Sequence, residues 1–245
     1  MNGEIFMNTI KINSENAKII AHRGLSGIEA ENTNAAFIAA GNRSYYGIET
    51  DIRKTKDGVY AVNHDGNLLR IAGNKAVIEE NTFDELSKIV FFDKDGSKER
   101  NDLRITTLDN YIKLCKKYDK QSILELKSDF NDDDLKEITD IVKKYGYLDR
   151  VTYISFYYDP LLRIRSLYPN ASVQFLFREI TDEITEKLNR DRIDVDVKYN
   201  ALTKTSIDMF HSMGLKVNCW TVDEKDIAEE LIKLGVDFIT TNILE

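Results

Sequence analysis

Residues 216–240 read KVNCWTVDEKDIAEELIKLGVDFIT. Lys216 to Trp220 is a short apolar run, Glu224 to Leu234 has helical period and stops at Gly235, and Asp237 to Thr240 is a second short apolar run. The stretch is a strand, a crossover helix and a strand, the unit from which parallel sheets are built.

Working outward, the same alternation recurs along the chain. Strands are expected at Lys18 to His22, Gly47 to Ile52, Ser122 to Leu126, Val151 to Ser155, Ser172 to Phe177 and Ile193 to Val197, besides the two above. Helical patterns run over Thr33 to Ala40, Leu108 to Tyr118, Asp132 to Tyr145, Asp159 to Leu167, Thr181 to Asn189 and Lys204 to Met213. Asn32 and Thr107 sit where N-caps belong, Asp132 to Asp134 put negative charge in a first turn, and Gly146, Gly214 and Gly235 mark helix ends. Eight strands with seven intervening helices fit an α/β fold of the TIM (β/α)8 type better than an open doubly wound sheet. Only five residues follow Thr240, so the last helix is short or missing. The first seventeen residues, with Ile5, Phe6, Ile10 and Ile12, are the candidate cover for that wall, or a plug for the barrel bottom.

The length of 245 residues suits one barrel domain spanning 1–245, and 42% hydrophobic residues suffice for a large core. One connection is irregular. Lys54 to Val62 reads as a turn at Asp57 and Gly58 followed by a short strand, and residues 65–104 then intervene with a single helical patch, Thr82 to Ile89. This is expected to be a small cap inserted after strand two, over the carboxyl end of the barrel where sites of this fold lie.

A net charge of −8 argues against nucleic acid as partner and leaves a small molecule as the expected ligand. Cys115 and Cys219 provide no disulfide framework or metal knuckle. With no basic, apolar leader and no long apolar run, a cytoplasmic protein without stable membrane insertion is expected. Tyr-rich loops and a bare wall would also suit a homodimer.

Polar residues collect at the carboxyl ends of the expected strands: His22 and Arg23, Glu49 and Asp51, His64 and Asp65, Glu125 and Lys127, and Trp220. Glu49 and Asp51 are two apart on a strand and share a face, as do Glu125 and Lys127. Three inward carboxylates need compensation, and an all-oxygen set without thiolate suits Mg²⁺ or Ca²⁺ rather than zinc. His22 and His64 can divide acid and base work, because imidazole titrates near working pH. Arg23 and Lys127 add fixed positive charge, which fits a phosphate. Phe156, at the same end of strand four, is a candidate pocket wall.

The strings AHRGLSGIEAENT, IETDIRKTKDGVYAVNHD, LELK and VNCWTVD, in this order from residue 19 onward, resemble the glycerophosphodiester phosphodiesterase family. The resemblance implies a TIM barrel with a cap after strand two and metal-dependent hydrolysis of glycerophosphodiesters to glycerol 3-phosphate and an alcohol, a role in lipid and glycerol metabolism. It implies His22 and His64 as the acid/base pair, Arg23 as a phosphate ligand, Glu49, Asp51 and Glu125 as metal ligands, Lys127 near the phosphate, and Trp220 as a wall of the glycerol pocket. The sequence departs from the family pattern at Ala30 in place of proline, at Thr106–Thr107 in place of a proline–threonine pair, and at Asn242 in place of aspartate. Two other readings use the same residues: a lysophospholipase D-like phosphodiesterase, which would want an apolar, open cap, and a barrel that binds glycerol phosphates without catalysis, which would have lost a histidine or a carboxylate.

Overall fold

A computed structural model describes residues 8–245. The elements, in order, are β1 (Lys18–Ala21), α1 (Asn34–Gly41), β2 (Gly47–Lys54), β3 (Tyr60–Val62), α2 (Leu69–Ala72), α3 (Phe83–Ser87), β4 (Thr106–Thr107), α4 (Leu108–Lys117), β5 (Gln121–Leu126), α5 (Asp132–Lys144), β6 (Val151–Ser155), α6 (Tyr158–Leu167), β7 (Ser172–Phe177), α7 (Asp182–Asp191), β8 (Asp194–Lys198), α8 (Lys204–Ser212), β9 (Val217–Trp220), α9 (Lys225–Leu234) and β10 (Phe238–Thr241). Strands β1, β2 and β5 to β10 run parallel, and β10 pairs with β1 to close an eight-stranded barrel. Closure leaves no open edge in that ring. Two short strands lie outside it: β3 pairs antiparallel with β2, and β4 with β3.

Alternation along each strand divides the side chains between two cores. Ile20, Ile123, Ile154, Leu176 and Phe238 fill the barrel interior against Tyr46 and Trp220, while the main core lies outside the sheet, under the helices. Helix α4 shows how a helix is placed. Leu108, Tyr111, Ile112 and Cys115 form its buried stripe, and Thr107 caps its start by accepting from the Asn110 amide. The expectation for Asn32 fails. Thr33 caps α1, accepting from Ala36 N, and Asn32, at φ +57°, is buried and turned toward the strand ends.

Among the described residues, no helix follows β10. Ile243 and Leu244 enter the main core, Ile10 pairs with Leu244, and Ile10 and Ile12 pack against the same core. The Glu245 amide donates to Ile10 O at 2.8 Å, and its carboxylate takes Ser44 Oγ at 2.7 Å and Lys11 Nζ at 2.9 Å. An extended pair therefore covers the place left for the helix, which removes the bare wall as an argument for a partner subunit. Ile5 and Phe6 lie outside the described residues.

Residues 65–104 hold α2, α3 and a 3₁₀ turn at Ile78–Glu80, around a separate cluster that includes Leu68, Ala72, Ile78, Leu86, Phe91 and Leu103. The segment is tied to the loop after β1 by Lys94 Nζ donating to Ser26 O at 2.7 Å and by Arg100 on Glu29 at 2.7 Å. Among the described residues, no helix is long and apolar enough to cross a membrane.

Candidate active site

Strands β2 and β5 are neighbours in parallel register, with Asp51 opposite Glu125. Glu49, Asp51 and Glu125 all point into the barrel mouth, are 2%, 1% and 7% exposed, and offer oxygens within 4.8 Å of one another. Lys127, two residues beyond Glu125, puts its Nζ 2.9 Å from Glu125 Oε1 and 3.5 Å from Asp51 Oδ1.

The turn after β1 supplies the next groups. Arg23 is left-handed at φ +54° and its amide donates to Glu49 Oε2 at 2.8 Å. Gly24 follows at φ +75°, and any Cβ there would stand 2.7 Å from Ala36, so only glycine lets α1 approach this turn. The Arg23 guanidinium reaches Glu31 Oε1 at 2.8 Å and Asp51 Oδ2 at 3.5 Å. Asn32, in the loop between β1 and α1, bridges two neighbouring residues of β2, donating to Asp51 Oδ2 and accepting from Thr50 Oγ1, both at 2.8 Å.

Each histidine of the mouth has one ring nitrogen engaged. His22 Nδ1 meets Asn242 Oδ1 at 2.8 Å, and its Nε2 stands 4.0 Å from Glu49 Oε2. The Asn242 amide group is oriented by donating to Asp223 Oδ2 at 2.6 Å. His64 Nδ1 meets Asp65 Oδ1 at 2.7 Å. The His64 carbonyl is clamped by Arg53 from Nε at 3.1 Å and Nη2 at 3.0 Å. These contacts assign the proton of each ring to Nδ1 and leave each Nε2 free.

Burial and mutual repulsion govern the charges. Burial, then the Asp51 and Glu125 carboxylates, push Glu49 well above the usual range. Burial and Asp51 raise Glu125 to about 8. Burial acts on Asp51 too, but Arg23 and Lys127 outweigh it and hold that group low. Burial and the Arg23 charge lower His22 to about 4, and burial is also the main cause that lowers His64. Three carboxylates thus face two cations, Arg23 and Lys127. The donors of the cluster are all oxygen, and a hard divalent cation fits it.

A cavity of about 260 Å³ joins His22, Arg23, Glu49, His64 and Glu125 to a second wall made by Phe156, Arg178, Asp196 and Trp220. The Phe156 and Trp220 rings meet edge-to-face at 5.7 Å, Trp220 Nε1 donates to Asp196 O at 3.2 Å, and Arg178 lies 5.2 Å from the Trp220 ring centre. The structure therefore gathers His22, His64, Arg23, Glu49, Asp51, Glu125, Lys127, Trp220 and Phe156 at one end of the barrel. Sequence reading missed Asn32, Asp196 and Arg178. Asp196 and Arg178 could have been found, because they keep step with the inward positions of β8 and β7, as Leu176 does. Asp196 is 1% exposed with Oδ1 unpaired, and burial and the Glu125 charge push its pKa well up.

Comparison with known proteins accords with this geometry. The family model of the glycerophosphoryl diester phosphodiesterase family matches residues 22–245. A glycerophosphodiester phosphodiesterase of Caldanaerobacter subterraneus is 29% identical over 227 residues, 91% of this chain and 93% of that protein. The crystal structure of a glycerophosphodiester phosphodiesterase from Parabacteroides distasonis aligns with a TM-score of 0.77 at 31% identity over 93% of each chain. An Oleispira antarctica phosphodiesterase, solved with its product sn-glycerol-3-phosphate, aligns with a TM-score of 0.86 over 95% of this chain and 96% of its own. At 23% identity, this last likeness concerns the fold.

Proposed function

This chain belongs to the glycerophosphoryl diester phosphodiesterase family of phosphoric diester hydrolases, and we propose that it hydrolyses small glycerophosphodiesters to glycerol 3-phosphate and an alcohol. The observation that carries this reading is the juxtaposition, around one cavity, of a three-carboxylate cluster with two histidines whose Nε2 atoms are free.

Glu49, Asp51 and Glu125 would hold Mg²⁺ or Ca²⁺, which supplies Lewis-acid polarisation of a phosphoryl oxygen when bound. Arg23, with its backbone fixed by Glu49 and its guanidinium by Glu31, presents charge to the phosphate. Lys127 neutralises the carboxylates and extends the positive wall. Of His22 and His64, one takes a proton from the attacking oxygen on its free Nε2, and the other, entering the step as imidazolium, gives its Nε2 proton to the leaving alcohol. Phe156 and Trp220 form an apolar wall against which glycerol carbons pack.

The size of the cavity favours a small diester over a lysophospholipid. Of the aliphatic residues in the 65–104 segment, Leu68 and Ile78 are fully buried within its own cluster, while Leu69 is half exposed. We read this segment as a cap on the barrel mouth rather than an acyl groove. Two buried, unpaired cysteines suit a reducing compartment such as the cytoplasm.

The test is release of glycerol phosphate from glycerophosphocholine, glycerophosphoethanolamine and glycerophosphoglycerol, with Mg²⁺, Ca²⁺ or chelator. The parent should turn over one of them only with a cation, and His22→Ala and His64→Ala should each lose roughly 100-fold or more in kcat. An aryl ester with a good leaving group identifies the acid, since the variant lacking it recovers on that substrate. Turnover that survives both substitutions, or that ignores chelator, would overturn the reading.

A further inference from the structure

The segment 65–104 places one side chain where the two halves of the site meet. Arg70, on α2, directs Nε to Asp65 Oδ2 at 2.7 Å, and its two terminal nitrogens to Glu31 Oε2 and Oε1 at 2.7 and 2.8 Å. Both carboxylates are shared. Asp65 Oδ1 holds His64 Nδ1 at 2.7 Å, and Glu31 Oε1 also receives the Arg23 guanidinium at 2.8 Å. An unbroken chain of contacts therefore runs from the His64 ring through Asp65, Arg70 and Glu31 to Arg23. Helix α2 is itself anchored, with Leu68 and Ala72 in the cluster of the segment and Ile71 O accepting from Phe92 N at 2.8 Å.

The geometry needs a fork. Three oxygens on two residues from separate loops are met by three nitrogens in one plane, which a single ammonium cannot do. Arg70 is half exposed, so its worth as an ion pair is small. What it supplies is direction: with Arg70 in place, neither Asp65 nor Glu31 can turn without breaking a contact to a reacting group.

We propose that Arg70 is a positioning residue of this site, the clasp through which the 65–104 segment fixes the orientation of the His64 imidazole and the Arg23 guanidinium together. The proposal rests on the phosphodiesterase reading above. It adds that docking of the segment and assembly of the site are one event, and that the arginine cannot be exchanged for lysine.

The test uses the full chain with ¹⁵N-labelled histidine. It carries only three histidines, and His211, bound to Asp237 at 2.9 Å away from the cavity, is the internal control for folding. In the parent, His64 should show protonated Nδ1 and free Nε2. In Arg70→Met the two tautomers should mix while His211 is unchanged. In assays, Arg70→Met and Asp65→Asn should each lower kcat by roughly 10- to 100-fold, the double variant should be no worse than the poorer single one, and Arg70→Lys should not restore the rate. An unchanged His64 spectrum with kcat within about twofold of the parent, or losses that simply multiply, would overturn the clasp. If the parent itself hydrolyses none of the diesters, the functional reading fails, while a tautomer change in Arg70→Met still supports the clasp.

Discussion

His22 is held by an amide rather than by a carboxylate: Asn242 accepts its Nδ1 proton, and the charge stands one residue further out, on Asp223. Exchanging the two, Asp223→Asn with Asn242→Asp, keeps net charge and the hydrogen-bond count while moving the anion against the ring. An anionic acceptor favours imidazolium, so the pKa of His22 should rise by about one unit from its value of about 4, read by NMR titration of the metal-free protein. No movement would show that burial and Arg23 alone set it. Asp196 gives the opposite case. Its buried carboxyl, pushed up by burial, is fully compatible with the fold while protonated, and its stabilising share is lost as pH rises above the ordinary carboxylate range. Asp196→Asn removes that loss and should raise stability near neutral pH by about 1 to 3 kcal/mol in denaturant unfolding. A drop instead would mean that its charged form is paired in solution. Neither effect could be read from the chain, because both depend on which side chains the barrel brings across its mouth.

At the scale of elements, the eight barrel strands and the seven long helices were readable from apolar runs, helical spacing and turn residues, with the start of α1 misplaced by one residue, at Asn32 instead of Thr33. Val217–Trp220, α9 and Gly235 show this in one unit, and Thr107 caps its helix as expected. The elements that escaped are those without a period. β4 is two residues, α2 is four, and both are stabilised by distant partners: Val62 for the first, the cluster around Phe91 and Leu103 for the second. Arg70 escaped for the same reason, since its partner Glu31 lies 39 residues away. The extended pair in place of an eighth helix makes a prediction of its own. Leu244 is fully buried between that pair and the barrel, so Leu244→Ala should cost about 2 to 4 kcal/mol and lower Tm by at least roughly 4 °C. Deleting the chain through Ile12 should lower Tm as well, and Leu244→Ala should cost less in that background, because the strand it packs beneath is gone. Equal costs in both backgrounds would mean that the two segments do not support each other.

For the whole molecule, metal binding, protonation and folding are one equilibrium. In the metal-free chain, burial and neighbouring carboxylates raise Glu49 and bring Glu125 to about 8, so between about pH 4.5 and 8 the folded state binds more protons than the unfolded state at these sites. Stability from them is full below the ordinary carboxylate pKa and is lost as pH rises through the folded value. His22 acts the other way over a lower window: the unfolded ring takes up a proton near pH 6.5 while the folded ring resists until about 4, so it weakens the fold as pH falls between those values. The metal-free protein should thus lose stability on the alkaline side of about pH 6.5. A divalent cation displaces the shared protons, so its affinity must rise over the same range. Thermal unfolding with Mg²⁺ or Ca²⁺ should therefore show a larger increase in Tm near pH 8 than near pH 5.5, the stabilisation reaching about 2.7 kcal/mol wherever the cation stands a hundredfold above its Kd. Glu125→Gln separates the two contributions. Without the cation, it should be more stable than the parent near pH 8, because a buried repulsion is gone, and the added cation should stabilise it far less. If the cation raises Tm equally at both pH values, or stabilises Glu125→Gln as strongly as the parent, the cluster of Glu49, Asp51 and Glu125 is not where it binds.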